Sequence, residues 1–168
     1  MKKIFISLVS LLVFTSCVLR VYRFTSVNYT NSRISISAGL VNSEDEKSPV
    51  EYIGVSDVRS NVNTPHKVKI LSSTIKIIDS NNKEYIAKTN SNSGYIHIYK
   101  QGVVITDFKA YIGKVQLDDG TIIDIPPLSF KKTVYVERYS VISDSINAGG
   151  RGKEIFSGTV EDYKKQKK

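Results

Sequence analysis

The chain has 168 residues, of which 40% are apolar and 24% charged, with a mean hydropathy of -0.17 and a formal charge of +8. That is enough for one packed domain, and it excludes a disordered chain, a collagen with only 10 glycines, and a multi-span membrane protein. The charge does not point to nucleic acid: Lys2 and Lys3 precede an apolar run, Lys164, Lys165, Lys167 and Lys168 sit at the C-terminus, and the body between them is left with +2.

The N-terminus reads as an address. Lys2 and Lys3 are followed by the 11-residue apolar run Ile4–Phe14 and then by Thr15, Ser16 and Cys17. A run that short does not reach the roughly 20 residues that span hydrocarbon, so the order is that of a cleaved secretory signal. Val13-Phe14-Thr15-Ser16-Cys17 resembles the lipobox of bacterial lipoproteins, with Phe14 standing where the family usually has leucine. The resemblance implies cleavage before Cys17, acylation of that cysteine and a membrane anchor there. Val18, rather than an aspartate, follows the cysteine, which by the same resemblance implies the outer membrane, facing the periplasm. Cys17 is the only cysteine, so no intramolecular disulfide is open to it in an oxidising compartment.

From Cys17 onward there are 18 Ile and 16 Val against 5 Leu and 4 Ala, a bias toward pleated sheet over helix. Ile34, Ile36, Ala38 and Leu40 alternate with polar residues as a half-buried strand does. A polar loop, Asn42–Pro49, precedes a second run at Val50–Val58. Residues 74–78 and 84–89 flank a turn in which Asn82 can take a left-handed conformation. Residues 114–117 and 122–125 flank Asp118-Asp119-Gly120-Thr121, a strong hairpin signal. Strands are also expected near Gly94–Lys100, Phe130–Val141 and Glu154–Val160, with a glycine-rich loop over 147–153. Thr159, three before Asp162, can cap a short C-terminal helix. The absence of any long helical period argues against crossover helices. The expected fold is therefore all-β: an antiparallel β-sandwich, immunoglobulin-like or transthyretin-like, of about seven to nine strands, with a closed barrel as the alternative. The expected layout is a signal over 1–16, a lipidated tether or first strand over 17–30, the sandwich over 31–160 and a basic tail over 161–168.

Catalytic signatures are scarce. Of the two histidines, His66 and His97, neither has a partner that spacing reveals, and neither a nucleophile elbow nor a zinc-protease motif occurs. Separated histidines do not make a zinc site, and Lys83 at the fifth position of Asp79–Glu84 opposes a calcium loop. No catalytic residue, metal or cofactor is expected. More informative are two strands with tyrosine on one face: Tyr95, His97 and Tyr99 opposite Ile96 and Ile98, and Tyr135, Glu137 and Tyr139 opposite Val134 and Val136. Tyrosine gives rigid contact area with a polar tip, which suits a partner-binding face, although such rings also pair across strands within a sheet.

The expectation is a non-enzymatic, lipid-anchored envelope protein that binds a protein partner and no nucleic acid. A sharper form, by analogy with small β-rich lipoproteins, is an immunity protein that neutralises a toxin delivered to the periplasm. The alternatives are an assembly lipoprotein of an envelope complex, or a hydrolase in which Asp118, Asp119 and Asp124 converge.

Overall fold

Alternating Ile and Val produce strands wherever that period occurs. The computed structural model describes residues 16–61, 63, 65–90, 93–98, 106–140 and 152–167. Among the described residues twelve strands are formed, in chain order Ser16–Ser26 (β1), Ile34–Leu40 (β2), Val50–Asp57 (β3), Val68–Ile70 (β4), Thr74–Asp79 (β5), Glu84–Lys88 (β6), Tyr95–His97 (β7), Phe108–Tyr111 (β8), Gly113–Leu117 (β9), Ile122–Ile125 (β10), Leu128–Ser140 (β11) and Lys153–Thr159 (β12). The helix Val160–Gln166 (α1) follows. The all-β antiparallel class and the short C-terminal helix are those the sequence indicates. β4 and β8, of three and four residues, are too short to display a period and add to the strands that alternation marks.

The described residues divide into two compact units, one within 22–133 and a second drawn from 16–21, 134–140 and 152–167. In the first, strands follow the order β6-β5-β8-β11-β1-β2-β3-β7, and β6 and β7 at the two ends of that path lie in contact, so the sheet nearly closes. A separate sheet runs β10-β9-β4. The inward residues are those the alternation selects: Ile53 and Ile96 are register partners and both fully buried, as are Ile77 and Ala110. Phe108 stacks on Phe130 with centroids 4.7 Å apart and meets Phe24 edge-on at 5.1 Å. Burying each such side chain contributes roughly 1.5–3 kcal/mol relative to exposure.

Both expected hairpins form. Asn82 has φ 62° in the β5–β6 turn, where Asp79 Oδ1 accepts from the N–H of Asn81 and of Lys83, and the Tyr85 hydroxyl donates to Asp79 Oδ2. Gly120 has φ +83° in the β9–β10 turn. Asp79 thus serves its own turn, and its carboxyl lies below the usual range mainly because the Lys83 N–H binds it, with Asn81 and Tyr85 adding to the effect against burial.

In the second unit, Val134 and Val136 are buried and β12 pairs with β11. The Thr159 side chain accepts from the Asp162 N–H and caps α1, with Glu161 and Asp162 in the first turn and Lys164 and Lys165 in the last, as the helix dipole favours. Seven residues cannot hold a helix alone, and Tyr163 anchors this one: its ring packs on Phe156 at 5.1 Å and its hydroxyl accepts from Arg20 Nε at 3.1 Å. The glycine-rich segment expected over 147–153 lies outside the described residues except for Gly152 and Lys153.

Candidate functional site

The pleat sends Tyr52, Gly54 and Ser56 of β3 outward, and the register sets His97 opposite Tyr52 and Tyr95 opposite Gly54, with Gly39 of β2 opposite Tyr52 on the other side. Glycine here provides room rather than flexibility. A methyl at Gly39 would overlap the Tyr52 ring, and one at Gly54 would come to 3.0 Å of the Tyr95 ring, so each tyrosine lies over a glycine. The two rings meet edge-on, centroids 5.4 Å apart at 71°. Tyr95 stays 49% exposed on β7, at the end of the strand path. Ser35 and Ser37 of β2 stand outward on the same face.

Beside this aromatic platform lies a cleft of about 240 Å³ lined by Ser56, Ser60, His66, Lys67, Ser93 and Tyr95, with Val55, Val68 and Gly94 behind them. Its back is tight: Val55 N–H donates to the Gly94 carbonyl at 2.8 Å, and a Cβ at Gly94 would overlap the Val55 carbonyl oxygen. Ser60 Oγ accepts from the His66 N–H and Ser93 Oγ from the Tyr95 N–H, both at 3.0 Å.

Charged residues fix one wall. Asp57, 2% exposed at the end of β3, accepts from Arg59 Nε at 3.0 Å and Nη2 at 2.6 Å. His66 Nδ1 lies 2.6 Å from Asp118 Oδ2, and Arg33 Nη2 2.5 Å from Asp119 Oδ2. Arg59 Nη2 also reaches Asp118 at 3.4 Å. The segment 57–66 is thereby held to the β9–β10 turn. The Arg59 hydrogen bonds hold the Asp57 carboxyl at about 2 in spite of burial, and the Arg59 guanidinium is pushed up in return. Hydrogen bonds from Thr121, side chain and backbone, and then Arg33 hold Asp119 well below the usual carboxylate range.

His66 therefore has a partner, a correction to the sequence expectation: Asp118 is 52 residues away and only the tertiary fold joins them. Donor atoms of Asp57, His66 and Asp118 lie within 4.8 Å of one another. Both oxygens of Asp57 already accept from Arg59, however, so a cation there would have to displace a guanidinium. Asp118 and Asp119 are both ion-paired, while Asp124 lies on β10 in register with Lys114.

Of the tyrosine-face residues, Tyr95 and His97 lie outward on β7, and Tyr99 is outside the described residues. On β11, Tyr135 and Tyr139 are half-buried and both hydroxyls donate to the Glu137 carboxylate. That bond, followed by burial and the Glu137 charge, pushes Tyr135 up to about 12. Cys17 is exposed on β1. Tyr52, Gly39 and Gly54 escaped the sequence reading, although a glycine inside an alternating strand next to a tyrosine is a signal for close approach. A larger cavity of about 370 Å³ includes Asp79, Asp107, Lys109 and Lys131 in its lining, but its carboxylates are spent on backbone N–H groups, Asp107 Oδ1 accepting from Lys132 at 2.9 Å.

No protein family matches the sequence, and neither a curated protein nor a solved structure matches it.

Proposed function

We propose that this protein is a non-enzymatic binding module of the cell envelope, lipid-anchored through Cys17 at the outer membrane and facing the periplasm, and that it grips a protein partner along the β7 end of its sheet. The observation that carries this is the platform itself: Tyr52 and Tyr95 laid over Gly39 and Gly54, with Tyr95 half exposed beside His97. Rigid amphipathic rings that lose little conformational entropy on binding are the usual anchors of protein recognition. The exposure of Cys17 is compatible with acylation, which adds about 0.8 kcal/mol per buried methylene to membrane affinity. Among the described residues no helix is long and apolar enough to cross a membrane.

The sharper form of this reading is an immunity lipoprotein that captures a toxin entering the periplasm, and the alternative is an assembly lipoprotein of an envelope complex. Crosslinking in intact cells, followed by affinity purification of the C-terminally tagged chain, tests both. A secreted toxin held equally by wild type and by Cys17→Ala supports immunity; an envelope complex lost with the anchor supports assembly. Capture unaltered by Tyr95→Ser removes the platform from the reading.

A further inference from the structure

We infer that the cleft beside the platform is a binding site for a single pyranose ring, a ligand separate from the protein partner proposed above. A sugar ring has a C–H face and a rim of hydroxyls, each both donor and acceptor, and the cleft supplies the complement of both. Tyr95 borders the cleft and stays 49% exposed, an aromatic surface of the kind that C–H groups pack against. Ser60 and Ser93 each use oxygen lone-pair capacity on a backbone N–H, which leaves their hydroxyl protons to donate. His66 turns Nδ1 to Asp118 at 2.6 Å. That contact occupies Nδ1 and leaves Nε2 as the ring nitrogen open to a ligand hydroxyl, which can either donate or accept. Two serine hydroxyls and a ring nitrogen beside an aromatic shelf fit neighbouring hydroxyls of one ring.

Size and polarity agree. The cleft, at about 240 Å³, falls below the roughly 300–1,000 Å³ of sites for drug-sized ligands. Its aliphatic lining residues, Val55 and Val68, are 2% and 4% exposed, so it offers no apolar socket for the anchor side chain of a protein. An inorganic anion would use the donors and the Lys67 ammonium but would leave the tyrosine shelf idle.

The test is an amide-shift titration of the isotopically labelled full chain, in a sugar-free detergent, with methyl hexosides, and with sorbitol and inorganic phosphate as controls. A saturable shift of the Ser60, His66, Ser93 and Tyr95 amides, with a dissociation constant on the order of 1 mM for at least one hexoside, is expected for a ligand of about a dozen heavy atoms. Tyr95→Ala should weaken it about tenfold, and Ser60→Ala and Ser93→Ala each about threefold to tenfold, with the remaining amide spectrum unchanged. Absence of saturation by every hexoside, equal shifts with open-chain sorbitol, or shifts by phosphate alone would overturn the site. So would hexoside shifts that persist undiminished in a folded Tyr95→Ala chain. Because no protein partner enters the titration, its result is independent of the capture experiment.

Discussion

Two strands of this protein carry the same outward pattern, tyrosine two residues from a polar side chain, and the fold uses them in opposite ways. On β11, Tyr135 and Tyr139 donate to one carboxylate, Glu137, and stay half-buried. Their polar tips are consumed internally, and the Glu137 bond holds the Tyr135 proton past the ordinary phenol range. On β7, Tyr95 lies over Gly54 with its ring 49% exposed. Tyr139 also lies over a glycine, Gly152, so what separates the faces is that Glu137 takes both hydroxyls on β11 while Tyr95 on β7 stays half exposed; a tyrosine face can serve recognition only where its rings and tips are left open.

The largest expected effect comes from removing what supports the open face. Gly94→Ala should cost about 3 kcal/mol, because the new methyl overlaps the Val55 carbonyl and breaks the bond that closes the cleft. Thermal denaturation should show this as a fall in Tm of several degrees. A neutral result would place the β3–β7 junction elsewhere.

Next, Asp57→Asn should cost about 2 kcal/mol, because the amide at this buried position carries no charge and has one oxygen where the carboxylate uses two to accept from Arg59. The same pair sets an acid limit. Asp57 is depressed to about 2 when folded, so its contribution is complete above the unfolded carboxyl value of 3.8 and is lost as pH falls toward about 2. Urea unfolding at pH 5, 4, 3 and 2 should show stability falling over that window, and the Asp57→Asn chain should lose less than wild type does.

A smaller change is expected on the closed face, where Glu137→Gln should cost about 1 kcal/mol. Tyr135 should then titrate below about 12, nearer the ordinary phenol value, by ultraviolet absorbance. The sign follows from the raised value: the folded state favours the protonated phenol, so this contribution is present below pH 10 and lost as pH rises through 12. The smallest stability change belongs to Tyr95→Ser, less than about 1 kcal/mol for a half-exposed ring, accompanied by loss of partner capture. A large stability loss there would mean that Tyr95 is packing, not presentation, and the two faces would no longer differ in kind.

Much of the architecture was legible because it is local. The alternation at Ile34–Leu40 and Thr74–Ile78, the Asp119-Gly120 turn and the Thr159 cap each specify backbone conformation within a few residues, and β2, the two hairpins and α1 follow them. The site was legible only in part. Tyr95 and His97 could be placed on one face of a strand by the period of two, but which tyrosines remain open could not, since that depends on neighbours that register brings from other strands, such as Gly54, 41 residues from Tyr95.

The sequence by itself determined the all-β class, the strands with a clear alternation and their inward and outward faces, the two hairpin turns, and the N-terminal signature that resembles a lipoprotein, because those depend on side-chain period, turn chemistry and a short contiguous motif. Only the tertiary structure decided that His66 meets Asp118, that Arg59 secures Asp57 and that Ser60, Ser93 and Tyr95 border one cleft. These contacts join residues far apart in the chain. Strand register sets some of them and loop packing the rest, and no local propensity encodes either.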